Sequence, residues 1–332
     1  MGIKFALIVV GALIAVVFLG VKVLGLYYLF GVIIPYLAIF TFIGGFVVRI
    51  IDWARSPVPF RIPTTAGQQY TPLPGFKQNK LDCPSSTAGV IGRMALEVLL
   101  FRSLFRNSKV ELRDGPKLTY QWEKWLWLAG LLFHWSFLII LIRHLRFFAE
   151  PVPGFVHLTE TLDGILQLGL PGVYLTDGLF LVTVTYLFVR RVVIPQVKYI
   201  SLPADYFPLF LLLALGTTGI LMRYFLKVDL LKVKELAMGL ASFHPTVPEG
   251  IGVLFYIHFF LVCTLFCYFP FSKLMHLGGV FLSPTRNLPN DSRMVRHINP
   301  WNYPVKVHTY QEYEDHFREK MIEAGLPVEK EQ

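Results

Sequence analysis

Long apolar runs alternate with short polar connections along the chain. Six uncharged or nearly uncharged runs, at 5–21, 24–48, 125–148, 173–189, 206–225 and 251–274, are long enough to cross about 30 Å of hydrocarbon. Tyr and Trp stand at several of their ends, where rings sit at a membrane interface. The first run is long and lacks a small-x-small cleavage site, so it reads as a retained helix and not as a signal peptide. The pattern predicts an all-α integral membrane protein, a bundle of about six transmembrane helices.

The connections are unequal. The longest, 49–124, opens on a Pro-rich stretch and continues into 88–106, where Val90, Met94, Val98, Phe101 and Phe105 recur at helical spacing. Arg93, Glu97 and Arg106 fall away from that stripe, so the segment is expected to be a helix lying in the membrane interface or packed on a partner protein. The tail after Pro284 is rich in both charge signs and reads as solvated.

Composition sharpens this picture. Hydrophobic residues make up 54% and charged ones 16%, against about 45–50% and about 25% in soluble domains. The net charge of +9 is not a nucleic-acid signal, because Lys and Arg follow the connections. With the N-terminus inside, 24 of the 31 fall on the inside and four on the outside, while Arg143, Arg146 and Arg223 lie in helices. By the positive-inside rule the protein is a multi-pass protein of the cytoplasmic membrane with both termini cytoplasmic.

Ionisable rings within spans are functional candidates by default. His134 and His144 lie in the third run, His258 and His276 in or just past the sixth. A bis-imidazole haem needs one ring on each face, and antiparallel helices pair His134 with His276 and His144 with His258. These four are the candidate iron ligands of two haems b held between helices. No C-x-x-C-H is present, so the haems are expected to be non-covalent. The spacings differ, ten residues (about 15 Å) against eighteen (about 27 Å), and a break near Pro270 is expected to absorb the mismatch. Gly44-Gly45 and Gly216-Thr217-Thr218-Gly219 serve either close helix packing or approach of a porphyrin edge. Arg143 and Arg146 flank His144 and are candidates to hold propionates or a quinone oxygen, or to snorkel to the interface. His157, Glu160 and Asp163, in the 149–173 connection, are candidate proton acceptors beside a quinol.

The run Tyr256-Ile257-His258 through Phe269-Pro270-Phe271-Ser272-Lys273-Leu274-Met275-His276, with the ten- and eighteen-residue histidine spacings, resembles the cytochrome b (gamma) subunit family of respiratory nitrate reductases over roughly residues 30–285. Pro35-Tyr36-Leu37-Ala38 with Gly44 resembles that family's first helix. An extra N-terminal span at 1–25 and the segment from Thr87 to Glu97 in the 49–124 insertion resemble the DsrM-like membrane cytochromes of sulfite-reduction-linked complexes and their heterodisulfide-reductase relatives. On this reading a dihaem domain at 26–283 is followed by a cytoplasmic tail at 284–332. The resemblance implies two haems b, menaquinone or menaquinol as substrate, a cytoplasmic heterodisulfide-reductase-like iron–sulfur partner, and further membrane and periplasmic redox subunits. It implies no nucleic acid. The family's quinone-site lysine has no counterpart in 149–173, and Arg143 stands where the family has glycine before the outer ligand. The alternatives are the cytochrome b subunit of a nitrate reductase or hydrogenase, or a haem-free anchor or transporter.

Overall fold

The computed structural model describes residues 2–56, 79–115, 117–169, 171–290 and 306–329. The Pro-rich opening of the insertion and part of the tail lie outside the described residues. Helix α1 (Gly2–Val23) and helix α2 (Leu29–Arg55) form the first hairpin. Each carries a π-helical turn, at Leu19–Val23 and Leu29–Ile33, on either side of the bend between them. The insertion contributes α3 (Thr87–Leu100) and α4 (Arg102–Phe105), then a β-hairpin of β1 (Ser108–Arg113) and β2 (Lys117–Trp122). The third span is α5 (Lys124–Phe147). Beyond it lie α6 (Gly154–Gly164) and the short pair β3 (Gln167–Leu168) and β4 (Val173–Tyr174). Helix α7 (Leu175–Val193), the short α8 (Pro195–Ile200), α9 (Pro203–Phe225), α10 (Leu230–Ala241) and α11 (Val253–Phe271) follow. Helices α12 (His276–Leu282), α13 (Pro284–Asn287) and α14 (Tyr310–Glu323) close the described chain.

Five of these helices, α1, α2, α5, α9 and α11, are long and apolar enough to cross a membrane. Helix α7 is 19 residues long and packs between α5 and α9, but Asp177 at one end and Arg190 and Arg191 at the other set it apart in composition. The core joins the spans through Val17, Phe30, Phe180, Leu211, Leu215, Tyr256 and Leu261. The first span is part of it, packed on α9 and α11. Glycine does the work of close packing at two of the expected positions. A Cβ at Gly45 would lie 2.7 Å from Pro270, and one at Gly216 would lie 2.7 Å from Leu181.

Three features of the insertion depart from the sequence reading. Helix α3 stops at Leu100, where Phe101 takes a left-handed conformation (φ 51°) and turns the chain into α4. The polar side of α3 is its packed side. Arg93, 2% exposed, donates to the carbonyls of Asp82 (3.2 Å), Arg286 (2.9 Å) and Leu288 (2.8 Å) and to Asn290 Oδ1 (3.1 Å), while Ile91, Leu99 and Leu100 are exposed. The carbonyls of the turn replace the water that a buried guanidinium with five donors gives up. The hairpin was not expected, although its signal is in the sequence: Asp114-Gly115 between two alternating stretches, with Gly115 at φ 83°.

Candidate functional site

The histidines of the third and sixth spans meet in two pairs. The rings of His134 and His276 have centres 5.9 Å apart and planes crossed at 85°. Those of His144 and His258 have centres 6.5 Å apart and planes within 13° of parallel. The unequal spacings are reconciled at the end of α11 and just beyond it. A 3-10 turn at Phe269–Phe271 holds Pro270, Ser272 is extended, and a second 3-10 turn at Lys273–Met275 follows. Pro270 lacks the N–H that a continuing helix needs, and the detour brings His276 opposite His134.

Each ring is tied by the same nitrogen. Nδ1 of His134 donates to Gly130 O (2.7 Å), that of His144 to Ile140 O (2.7 Å) and that of His276 to Lys273 O (2.9 Å). Carbonyls only accept, so in all three the proton sits on Nδ1 and the lone pair on Nε2. His258 Nδ1 meets Thr218 Oγ1 at 2.9 Å, and Thr218 gives its own proton to Ala214 O at 2.7 Å. The hydroxyl oxygen therefore accepts from His258. Gly219 lies beside the same ring, where a Cβ would stand 3.4 Å from His258 Cε1. Such outer contacts fix tautomer and ring direction in metal-binding histidines. The distances also fit a metal: two imidazole–metal bonds of about 2.0 Å, with about 1.2 Å from each nitrogen to its ring centre, put the centres about 6.4 Å apart. Among the described residues no cluster of three or more His, Cys, Asp or Glu is placed to hold a metal ion.

The end of α5 holds a second polar assembly. Arg143 is buried and ion-paired with Asp163 and with Asp177 (3.2 Å), and its guanidinium lies 4.7 Å from the Tyr174 ring centre. Thr176 donates to Asp163 from its N–H (3.1 Å) and its hydroxyl (2.6 Å). Tyr224 donates to Asp177 (2.6 Å). Arg143 Nε is buried without a hydrogen-bond partner among the described residues. Arg143 thus does not snorkel, and Asp163, closed into this network, is not open to water as the sequence reading had it. Arg146 instead pairs with Glu160 (2.6 Å), which also meets Arg223 at 3.5 Å. His157 and Glu160, with Thr161, Gln167 and Tyr174, line an open cleft of about 520 Å³.

The family model of the nitrate reductase gamma subunit matches residues 91–297. The chain belongs to the nitrate reductase gamma subunit family. The match takes in both histidine pairs, the Arg143 network and the insertion helix α3 from residue 91 onward. Two archaeal relatives are similar over most of their length. One, named Hdr-like menaquinol oxidoreductase cytochrome b-like subunit, from Archaeoglobus fulgidus, is 45% identical over 281 residues, 82% of this chain and 83% of that protein. Another of the same name, from Archaeoglobus profundus, is 44% identical over 279 residues, 81% of each.

Sequence reasoning passed over Asp177 and Tyr224, named Phe101 only as part of an apolar helical stripe, and named Thr218 only within a glycine motif. Asp177 carried a usable signal, an acid in the first turn of an otherwise apolar span.

Proposed function

We propose that the chain is the membrane cytochrome b subunit of a menaquinol-oxidising complex, holding one haem b between His134 and His276 and a second between His144 and His258. The observation that carries this reading is the geometry of the two pairs: four imidazoles, each with Nδ1 engaged, facing one another in twos at 5.9 and 6.5 Å. The haem irons, when bound, supply one-electron transfer between the two ends of the bundle. The chain's part is to fix the four rings and to hold protons at the quinol end.

The names of the two relatives support menaquinol as the reductant. The cleft lined by His157 and Glu160 is our candidate for the quinol headgroup, beside the His144–His258 pair. Glu160 lies between Arg146 and Arg223 and shares the cleft wall with the exposed His157; these two are our candidate proton acceptors. The donor Arg143 Nε is a candidate partner for a propionate or quinone oxygen. Electrons then leave at the His134–His276 end to a cytoplasmic heterodisulfide-reductase-like iron–sulfur subunit in sulfur or sulfite respiration, with protons released on the opposite side. In this reading the protein sits in the cytoplasmic membrane with both termini inside.

Haem content and spectra of single alanine variants test the pairing. His134→Ala and His276→Ala should each remove the same haem, and His144→Ala and His258→Ala the other. Loss of different haems within one pair refutes it. Glu160→Gln with His157→Ala should slow reduction by a menaquinol analogue with the spectrum unchanged, and normal reduction moves the quinol elsewhere.

A further inference from the structure

The two histidine pairs are not equivalent: the rings cross at 85° in one and lie within 13° of parallel in the other. The crossed pair has a cause outside the spans. The ring of His134 is wedged between two aromatic side chains, Phe133 at 4.8 Å and 76° and Phe101 at 4.9 Å and 82° between planes. Phe133 precedes it on α5, but Phe101 reaches in from the insertion, at the left-handed corner between α3 and α4. That corner is pinned to the span. Trp127 Nε1 donates to Leu100 O (2.7 Å), Trp135 Nε1 donates to Leu99 O (3.1 Å), and Phe101 N–H donates to Glu97 O (3.1 Å). With Nδ1 held by Gly130 O, the remaining freedom of the His134 ring is rotation about its tether, and the two neighbouring rings at 4.8 and 4.9 Å restrict it.

We propose that Phe101 is a positioning residue, by which the insertion holds the His134 ring crosswise to His276 and gives that pair's iron a ferric electronic state unlike the iron of the His144–His258 pair. The inference rests on the two-haem reading. In low-spin ferric iron the imidazole planes set the splitting of the two d orbitals directed out of the haem plane. Parallel rings act on the same orbital and split the two, which gives a rhombic three-line paramagnetic resonance signal. Crossed rings act on both alike and leave them nearly degenerate, which gives a highly anisotropic signal with one large g value. Ligand orientation set by outer contacts is an established lever on a metal centre.

The test is low-temperature electron paramagnetic resonance of the purified, oxidised protein, after haem content has been measured optically. The wild type should show one highly anisotropic and one rhombic low-spin signal, with His276→Ala removing the first and His258→Ala the second. Phe101→Asn removes the ring while keeping a residue that tolerates the left-handed corner. It should move the anisotropic signal toward the rhombic type, leave the other unchanged and keep both haems. Phe101→Tyr, which keeps the ring, should restore the wild-type signal. Two signals of one type in the wild type, or an anisotropic signal unmoved by Phe101→Asn, overturn the inference while leaving the two-haem reading intact. A protein without haem bands overturns both.

Discussion

Replacing Arg143 with methionine keeps most of the side chain's apolar stem and removes only the charge, so the cost reads the electrostatics of the buried network. The structure sets one guanidinium against two carboxylates, Asp163 and Asp177. At about 4 Å between charge centres and an effective dielectric of about 20, each pair is worth about 4 kcal/mol gross, and desolvation takes much of that back. Removing the cation strands both acids in a buried setting, which typically costs about 3–5 kcal/mol. Asp163→Asn should cost less, about 1–3 kcal/mol, because the amide oxygen still accepts from Thr176 and Asp177 still pairs with Arg143. Tyr224→Phe loses its hydrogen bond to a charged acceptor, about 1.5–3 kcal/mol, and the one its oxygen accepts from Tyr174 N–H, about 0.5–1.5 kcal/mol. Unfolding of the detergent-solubilised protein with increasing sodium dodecyl sulfate, followed by near-ultraviolet circular dichroism, gives the three values. Arg143→Met should be the largest. A value for Arg143→Met within about 1 kcal/mol of wild type would falsify the account of Arg143 as the cation that balances two buried acids.

Three further outcomes follow from other parts of the molecule. Reporter fusions after residue 329 and within 149–173 should read opposite sides of the membrane, and a shared side contradicts a six-helix bundle. Arg93→Ala removes three hydrogen bonds that hold residues 286–290 and a fourth to Asp82 O, a local loss of about 3 kcal/mol at the first three, so trypsin should cut after Arg286 about a hundredfold faster; an unchanged rate refutes the clamp. Asp82 is partly desolvated, which opposes ionisation, but hydrogen bonds and charge from Arg102 and Arg106 outweigh that and set its pKa below the ordinary 3.8. A lowered acid stabilises above its unfolded-state value and loses that contribution as pH falls through the folded one. Arg102→Gln should therefore weaken the wild-type protein's advantage at neutral pH and not below the carboxylate range, as pH-dependent unfolding can show.

The spans and the histidine pairs were legible because each rests on a local rule. Hydrocarbon thickness fixes the length of an apolar run, and antiparallel helices decide which of four rings face one another. The proline break was legible for the same reason, since Pro270 cannot continue the hydrogen-bonded ladder. The partners of Arg143 were not, because Asp163, Asp177 and Tyr224 come from three separate elements and no periodicity links them. Arg93 misled for a related reason. An arginine on the polar side of an amphipathic helix reads as solvent-facing, and only the fold shows carbonyls of residues 286 and 288 waiting there. The angle between two ring planes is further removed still, since it depends on a side chain 33 positions upstream of His134.

The Arg93 clamp ties together two parts of the chain nearly two hundred residues apart, and each leads directly to one ring of the same pair. From Arg93 the path runs eight residues to Phe101, against His134, and from Arg286 it runs ten residues back to His276. One fastening therefore reaches both sides of the pair, through the chain that carries His276 and through the side chain that presses on His134, so loosening it by Arg93→Ala should disturb the surroundings of both rings at once.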